Sequence, residues 1–413
     1  MIANPPTTSV TSLTDLYEGK EGNVVFLEGD NFSGRSEIIR SLAQLTVNAG
    51  GQSLIVPSEI HPALSGLTAT VEDELELHLG PDNSNPTYWS LAERWGLLPF
   101  RHRDPHSLSG GQQAMLAIIC KMAGRPRFLG LDGSLEQLDP TNLLLFLEAI
   151  STDEFFSRSS LAVISHNGSW PGKWVPENSV PASVIARPNE FVAPPCLDVD
   201  QFNPVPLSCP STIELKNASF HYPRHKPVFS GLNLNLSSGL IYRISGPNGA
   251  GKSTFAKILC GILRLSSGTM SVNGMSFNSY VSPGTLAQLH FQNPDTQLFD
   301  VSVAKEIQTL PSEIRASAIQ FGGLQGCEDT HPFDLPFVLR KRLALSLILH
   351  STAPWLIFDE PTVGLDWTSQ QKVCKALNKL KLAGYGVMLI SHNPILDELL
   401  RPEVINLHNS SPL

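Results

Sequence analysis

Residues 240–254 read Leu-Ile-Tyr-Arg-Ile-Ser-Gly-Pro-Asn-Gly-Ala-Gly-Lys-Ser-Thr, an apolar segment followed by a glycine-rich turn. The pattern is typical of a strand, a turn and the start of a helix. Glycines in such a turn let backbone N–H groups surround a phosphate, and the helix N-terminus favours negative charge. Lys252 is expected to reach the β- and γ-phosphates, and the Ser253 hydroxyl to ligate Mg²⁺. We therefore predict a nucleotide-binding loop formed by Gly246, Pro247, Asn248, Gly249, Ala250, Gly251, Lys252, Ser253 and Thr254.

The same arrangement occurs earlier in the chain. Residues 24–36 read Val-Val-Phe-Leu-Glu-Gly-Asp-Asn-Phe-Ser-Gly-Arg-Ser. Other short motifs recur at an almost constant spacing: 227 residues for Asp132 and Asp359, 227 for Asp139 and Asp366, and 226 for His166 and His392. Unrelated motifs would not keep this spacing, so the chain is predicted to be a tandem repeat.

The repeat and its apolar runs define the expected fold. Short apolar runs that end in Asp or in Ser-His are typical of buried parallel strands. We predict an α/β protein with two tandem P-loop domains, at residues 8–170 and 211–413, each with a RecA-like core and a helical subdomain. Residues 171–210 contain nine prolines and little periodicity, which favours a semi-extended linker.

Composition narrows the class of protein. With 41% hydrophobic residues, the chain can build sizeable cores, and a net charge of -9 argues against nucleic-acid binding. Six cysteines without a CxxC pair suit a reducing compartment. The N-terminus does not resemble a signal peptide, and no apolar run reaches the roughly 18 residues of a membrane span. We expect a soluble chain whose action on a membrane would require a partner.

Two acidic residues follow the apolar run 355–358. Asp359 is placed to hold Mg²⁺, directly or through water. Glu360, next in the chain, is predicted to be the general base that polarises the attacking water. Proton transfer of this kind contributes about 10²–10⁴-fold to a rate.

The segments 359–366, Asp-Glu-Pro-Thr-Val-Gly-Leu-Asp, and 389–392, Leu-Ile-Ser-His, resemble the Walker B, D-loop and switch-histidine segment of ABC ATPases. The resemblance implies ATP and Mg²⁺ as ligands, with His392 at the γ-phosphate. It implies that Gln292 senses the γ-phosphate beside the metal and couples to a membrane partner. It also implies that Tyr222 stacks on adenine, although this residue taken alone could equally pack in the core.

ABC domains hydrolyse ATP as a head-to-tail pair, in which an LSGGQ helix of one domain clamps the γ-phosphate held by the other. Leu108 begins an intact LSGGQ, and the first half would supply Ser109, Gly110, Gly111, Gln112 and Asp139 to the nucleotide. The equivalent residues 335–339 read Leu-Pro-Phe-Val-Leu. Bulky side chains prevent the close backbone approach that glycine allows, and Pro336 lacks an amide donor. We predict that this second signature does not clamp ATP.

The pocket of the first half lacks several parts. Arg35 replaces the lysine, Gly133 stands where Glu360 stands, and spacing places Ile60 opposite Gln292, with a slip of one or two residues left open. Too little chain precedes Gly29 for a strand with an adenine-stacking residue, so the N-terminal β subdomain is expected to be truncated. Ser36, Asp132 and His166 remain, which leaves Mg-nucleotide binding there open. The two halves are predicted to pair intramolecularly into one complete and one degenerate site.

The segment 291–299, Phe-Gln-Asn-Pro-Asp-Thr-Gln-Leu-Phe, resembles a stretch typical of cobalt-type and energy-coupling-factor transporter ATPases. That resemblance implies a peripheral subunit on the cytoplasmic face of the cell membrane. Its partners would be an energy-coupling-factor-type transmembrane protein and a substrate-binding membrane subunit that imports a vitamin or metal ion. The alternatives are a soluble tandem ABC ATPase of translation or DNA repair, and a scaffold without ATPase activity. Lys252, Asp359 and Glu360 together disfavour the scaffold.

Overall fold

A computed structural model of the chain describes residues 24–29, 33–57, 63–79, 86–108, 110–124, 126–138, 140–152, 161–166, 179–182, 195–223, 227–246, 250–276, 284–391 and 393–407. The chain divides into two compact units, whose main boundary lies between Ala193 and Pro194. Among the described residues, none of the helices is both long enough and apolar enough to span a membrane.

The first unit alternates strands with helices around a parallel sheet. Its described elements are β1 (Val24–Glu28), α1 (Arg35–Asn48), β2 (Ser53–Val56), α2 (Val71–Leu79), α3 (Pro86–Arg94), α4 (Gly110–Ala123), β3 (Phe128–Asp132), α5 (Pro140–Thr152), β4 (Leu161–His166) and β5 (Ser179–Pro181). The strand order is β2-β3-β4-β1-β5, and the strands are parallel. Because helices cover such a sheet, its central strands β1, β3 and β4 are apolar up to the polar residues at their carboxyl ends.

The second unit adds an antiparallel sheet to the same plan. Its described elements are β6 (Thr212–His221), β7 (Pro227–Ser237), β8 (Ile241–Ser245), α6 (Lys252–Leu259), β9 (Ser267–Val272), β10 (Met275–Ser276), β11 (Ala287–His290), α7 (Val303–Ile307), α8 (Ser312–Gly322), α9 (Phe337–Leu349), β12 (Trp355–Asp359), α10 (Trp367–Leu382), β13 (Gly386–Ile390), α11 (Pro394–Leu400) and β14 (Glu403–Asn406). The parallel sheet has the order β11-β12-β13-β8-β14, and the antiparallel sheet has the order β10-β9-β6-β7.

The two parallel sheets share one topology. Each has the strand before the phosphate loop in the fourth place and the strand that ends in the predicted magnesium aspartate in the second. The predicted fold class, two tandem α/β P-loop domains, is confirmed. Within its described residues, the first unit has no counterpart of the antiparallel sheet, and residues 1–23 lie outside that range.

Strand register corrects one pairing between the repeats. Asp132 of β3 pairs with Ser165 of β4, whereas Asp359 of β12 pairs with Ile390 of β13. His166 is therefore level with Ser391, and its predicted equivalence to His392 is wrong by one residue. A ladder of backbone hydrogen bonds sets this register, and a count of residues across loops does not.

Part of the proline-rich segment packs on the second unit. Residues 195–210 have irregular backbone, but Leu197 and Phe202 are buried. Lys379 Nζ donates to the carbonyl oxygens of Val199, at 2.9 Å, and of Phe202, at 2.8 Å. This stretch is consequently fixed to α10 and is not free to move as a spacer would.

Candidate nucleotide site

The carboxyl ends of four neighbouring parallel strands bring three predicted site residues of the second unit, and Ser391 with them, to one edge of the sheet. Gly246 follows β8, Gln292 lies two residues beyond β11, Asp359 ends β12, and Ser391 follows β13. Parallel α/β sheets bind their ligands at this edge. Six predicted site residues lie outside the described part of the chain: Ser109, Asp139, Pro247, Asn248, Gly249 and His392.

The turn into α6 requires glycine. Gly251 has a φ of 89°, and a Cβ atom there would lie 2.1 Å from Val228 Cγ1. A left-handed backbone with a close neighbour is a conformation that glycine adopts without strain. Gly34, with a φ of 91°, precedes α1 in the same way. Both units therefore begin this helix with one geometry, although Lys252 starts one helix and Arg35 starts the other.

Lys252 lies at the phosphate loop. Its Nζ donates to the carbonyl oxygen of Gly246 at 2.7 Å. Burial lowers the pKa of Lys252, and the carboxylates of Asp359 and Glu360 oppose the shift. The ammonium is thus held at the loop by a neutral acceptor, and a phosphate oxygen would be a stronger one.

Ser253 and Asp359 are adjacent, as the predicted magnesium ligands should be. Ser253 Oγ donates to Asp359 Oδ2 at 3.0 Å. Burial raises the pKa of Asp359, while the Ser253 hydrogen bond and the lysine Lys252 oppose the shift. A hydroxyl and a carboxylate are the oxygen ligands that Mg²⁺ prefers, and phosphate oxygens and water would complete an octahedron. The donors fit that ion, and Gln292, exposed beyond β11, stays a predicted ligand.

Glu360 is held at three points. Its N–H donates to the carbonyl oxygen of Ile390 at 2.8 Å, and its Oε2 accepts from Ser391 Oγ at 2.8 Å. Its carbonyl oxygen accepts from Lys341 Nζ at 2.8 Å. The residue has a φ of 46°, a left-handed conformation that costs a residue with a Cβ roughly 1–2 kcal/mol. These contacts fix the residue that follows Asp359, the predicted magnesium ligand, and its carboxylate would be the group that orients a water molecule.

The sequence did not identify Lys341 or Ser391 as site residues. Lys341 is fully buried in α9, and burial lowers its pKa to about 8, against the opposing charges of Glu360 and Asp359. The sequence feature that could have pointed to Lys341 is a run of three cations, residues 340–342, inside a helix that is mostly apolar. Lys and Arg are almost never fully buried without a partner, so such a run indicates specific contacts.

Tyr222 lies beside the first turn of α6. Its hydroxyl is 3.2 Å from Thr254 Oγ1, and its ring meets Phe220 edge to face at 4.9 Å. The side chain is 37% exposed, which favours the adenine-stacking interpretation over a place in the core.

In both units a side chain of the helix that follows the signature turn donates to two carbonyl oxygens of the residues before it, and one of the two acceptors is equivalent between the units. Gln113 Nε2 donates to the carbonyl oxygens of Pro105 and His106, at 3.3 and 3.1 Å. Arg340, the equivalent residue of α9, donates through Nη1 to those of Phe333 and Leu335, at 3.3 and 2.8 Å. The structure therefore keeps the turn and the helix start in the second unit while the sequence of the signature differs.

The first unit retains part of the pocket. Ser36 Oγ donates to Asp132 Oδ1 at 2.8 Å, as Ser253 does to Asp359. Burial raises the pKa of Asp132, and the Ser36 hydrogen bond opposes the shift. Gly133 has a φ of 69°, so the position of Glu360 keeps its left-handed backbone but carries no carboxylate.

The counterpart of Gln292 can now be placed by register. Val56 pairs with Leu131 as His290 pairs with Phe358, so the last residues of β2 and β11 correspond. Counted along the chain from these strand ends, Ser58 and not Ile60 corresponds to Gln292, a slip of two residues that the spacing had left open. Residues 58–60 lie outside the described ranges and contain no glutamine.

A second group of possible metal ligands has a structural role. Glu74, His78 and Cys120 offer ligand atoms within 4.8 Å of one another. However, the Glu74 carboxylate accepts from Ser65 N at 2.7 Å and from two hydroxyls, and its counterpart Glu306 accepts from backbone N–H groups in the same way. Burial also raises the pKa of the Cys120 thiol, which disfavours the thiolate that a metal needs. Both glutamates fix the loop before a helix.

The comparisons with known proteins cover both repeats. A family model described as ABC transporter matches residues 17–136 and 229–363. A protein of Methanosarcina mazei, provisionally named an ABC transporter ATP-binding protein, is 26% identical over 401 residues, which cover 90% of this chain and 78% of that protein. The energy-coupling factor transporter ATP-binding protein EcfA of Methanothermobacter thermautotrophicus is 31% identical over 195 residues, which cover 44% of this chain and 63% of that protein.

Solved structures resemble the fold over nearly the whole chain. A model of ribosome-bound archaeal Pelota and ABCE1 matches with a TM-score of 0.64 and 16% identity, and covers 94% of this chain and 72% of that chain. A crystal structure of the archaeal ribosomal stalk protein aP1 with the archaeal ribosome recycling factor aABCE1 matches with a TM-score of 0.59 and 16% identity, and covers 94% and 83%. At this identity the likeness shows the fold, with two such domains in one chain, and not a shared role.

Proposed function

The chain belongs to the ABC transporter family of ATP-hydrolysing proteins, and from that premise we propose that it powers an importer of the energy-coupling-factor or cobalt type. In this proposal the chain is peripheral on the cytoplasmic face of the cell membrane. Separate subunits, a transmembrane coupling protein and a substrate-binding protein, move a vitamin or metal ion. ATP with Mg²⁺ is bound and hydrolysed at the second unit's pocket.

The segment 291–299 carries the proposal, because it resembles a stretch typical of cobalt-type and energy-coupling-factor transporter ATPases, and its polar residues form one hydrogen-bonded turn. Gln297 Oε1 accepts from Phe291 N at 2.9 Å, and Asn293 Oδ1 accepts from Asp295 N at 3.0 Å. Asp295 Oδ1 lies 2.8 Å from Arg340 Nε of α9. The turn therefore joins the end of β11 to α9, and it leaves Gln292 exposed. The similarity to EcfA supports the same class of importer.

An apolar surface beyond this turn supports a protein partner. Phe299 is 84% exposed and Val301 is 70% exposed. Counted from the equivalent glutamates Glu306 and Glu74, Leu67 stands at the place of Phe299, and it is 86% exposed. A large apolar side chain at the same exposed place in both repeats favours contact with another protein, such as the membrane subunit.

The distribution of motifs supports one complete ATP site shared by both halves. The second half holds Lys252, Asp359 and Glu360, and the first half holds the intact signature that begins at Leu108. We propose that the second half supplies the nucleotide pocket and the first half supplies the clamp. The pocket with Arg35 and Gly133 would be the degenerate one.

Purification of the chain from membranes of cells that produce it tests the importer proposal. We expect a multi-span protein without an ATPase domain of its own to co-purify. Phe299→Asp should reduce its recovery at least about fivefold and leave the basal ATPase rate of the isolated chain unchanged. Leu382→Asp, at an equally exposed apolar residue at the end of α10, is the matched control. Recovery of ribosomes in place of a membrane protein, with ribosome-stimulated ATPase activity, would favour the soluble translation class.

A further inference from the structure

Three consecutive cations are buried in α9. Arg340 is 4% exposed, Lys341 0% and Arg342 1%. Each reaches a different part of the second unit: Arg340 contacts the turn at Asp295, Lys341 contacts Glu360, and Arg342 Nη1 donates to the carbonyl oxygen of Pro195 at 2.8 Å. Burial of a charge is costly unless partners compensate it, so these contacts account for the triplet.

Lys341 differs from its neighbours in its surroundings. The groups whose charges act on it are the carboxylates of Glu360 and Asp359, which favour its ammonium form. His290, at the end of β11, also lies within electrostatic range of Lys341. The Lys341 ammonium donates its hydrogen bond to the Glu360 carbonyl oxygen. The ammonium thus binds the peptide of Glu360 from the protein interior, while the carboxylate accepts a hydrogen bond from Ser391.

The first unit supports a link between these two residues. Ala114 stands in α4 at the place of Lys341, and Gly133 stands after β3 at the place of Glu360. The carboxylate and the buried cation are therefore absent from the same unit. Gly133, with a φ of 69°, adopts the left-handed conformation without a cation, because glycine has no Cβ to strain it.

We propose that Lys341 is a positioning residue for Glu360: its ammonium fixes the left-handed Glu360 peptide and so aims the carboxylate at the attacking water. This inference rests on the proposed role of Glu360 as the general base. A small misplacement of a catalytic group costs on the order of 10²-fold in rate, whereas binding of ATP depends on the phosphate loop and would change little. Loss of Lys341 should therefore lower kcat and leave KM for ATP nearly unchanged.

The test measures ATP turnover and ATP binding by the purified full-length chain. Lys341→Met should lower kcat about 10–100-fold and change the Kd for ATP less than about twofold. Lys341→Gln keeps an N–H donor without the charge. Its kcat should be at least about fivefold higher than that of Lys341→Met. Arg342→Met is the matched control, because it removes the neighbouring buried cation whose hydrogen bond goes to Pro195. We expect its kcat to stay within about threefold of that of the parent.

Two outcomes would overturn the inference. One is a Lys341→Met kcat within about twofold of the parent, and the other is a loss of ATP affinity as large as the loss of turnover. If Lys341→Met does not fold, as judged by thermal melting, Lys341→Gln decides, and a Gln variant with weakened ATP binding but a normal kcat contradicts positioning. Glu360→Gln separates the general-base role of Glu360 from the positioning role of Lys341. Normal turnover of Glu360→Gln refutes the general base itself. Loss of turnover in Glu360→Gln, together with normal turnover of Lys341→Met, refutes the positioning role alone.

Discussion

Glu360 and Gly133 occupy the same place after the second strand of their sheets, with φ values of 46° and 69°. The backbone conformation is thus common to both, and the carboxylate is the difference. Glu360→Gln should lower turnover at least about 100-fold, because an amide cannot accept the proton of the attacking water. ATP binding should persist, since the phosphate loop is unaltered. Steady-state hydrolysis and ATP binding of the same preparation measure this, with the exposed Glu403→Gln as control; hydrolysis near the parent rate would refute the role.

His350 makes the stability of the second unit sensitive to acid. The ring is buried between Phe202 and Phe321, with Nε2 at 3.0 Å from Ser317 Oγ and Nδ1 at 2.8 Å from the Ser346 carbonyl oxygen. Burial lowers its pKa, and the bond to the Ser346 carbonyl opposes the shift. The folded state therefore disfavours the protonated ring, and the contribution to stability is complete above the ordinary pKa of 6.5 and is lost as the pH falls below it.

For each pH unit below 6.5, protonation of His350 lowers the free energy of unfolding by at most about 1.4 kcal/mol. This corresponds to a fall of roughly 3–6 °C in Tm for a domain of this size. His350→Gln removes the titrating ring, so its Tm should fall less between pH 7.5 and 5.5 than that of the parent. Thermal melts at the two pH values measure the difference. His331→Gln, on an exposed turn, controls for the loss of a histidine, and an equal fall in parent and His350→Gln would contradict the prediction.

At the scale of elements, α4 and α9 show how a motif can change while its scaffold persists. Arg340 replaces Gln113, and both tie the helix to the preceding turn through two carbonyl oxygens. Arg340→Leu should destabilise the second unit by about 2 kcal/mol, because these carbonyls lose a charged donor and Asp295 loses its partner. Arg340→Gln, which copies the first unit, should cost about half as much. Melting temperatures measure both, and equal losses would show that the carbonyl contacts do not matter.

The features that could be predicted from sequence are local ones. Glycines at left-handed positions, apolar runs and an aspartate at a strand end carry their geometry within a few residues, so the glycine turn at Gly251 before α6 and the place of Asp359 could be predicted. Lys341 could not be assigned, because its contact to Glu360 spans 19 residues between a helix and a strand end. Strand register also depends on contacts between distant segments, so counting residues along the chain could not predict it. The predicted equivalence of His166 and His392 was wrong for this reason. The docking of residues 195–210 depends on side chains of α10, which proline content does not indicate.

At the scale of the whole molecule, the two units repeat one topology but differ in which functional parts they keep. Each unit alone lacks something: the second has Pro336 and Phe337 at the signature, and the first has Gly133 in place of the base. If the two halves had lost functional residues at random, one complete set of a phosphate loop, a general base and a signature would not be expected to remain between them. The first half would then be retained for its signature, and substitutions far from the second pocket should still affect hydrolysis there.

Substitutions in the first half test this directly. Ser109→Arg places a bulky cation in the signature and should reduce ATP turnover almost as much as Glu360→Gln, because it would block the clamp on the γ-phosphate that we propose for the first half. Arg35→Ala alters the first half's own phosphate loop and should leave at least about half of the turnover, because that pocket has no general base. Both variants need the same melting temperature as the parent within a few degrees for the comparison to hold. Full activity of Ser109→Arg would refute a shared site, and complete loss in a folded Arg35→Ala would show that the first pocket is needed for hydrolysis.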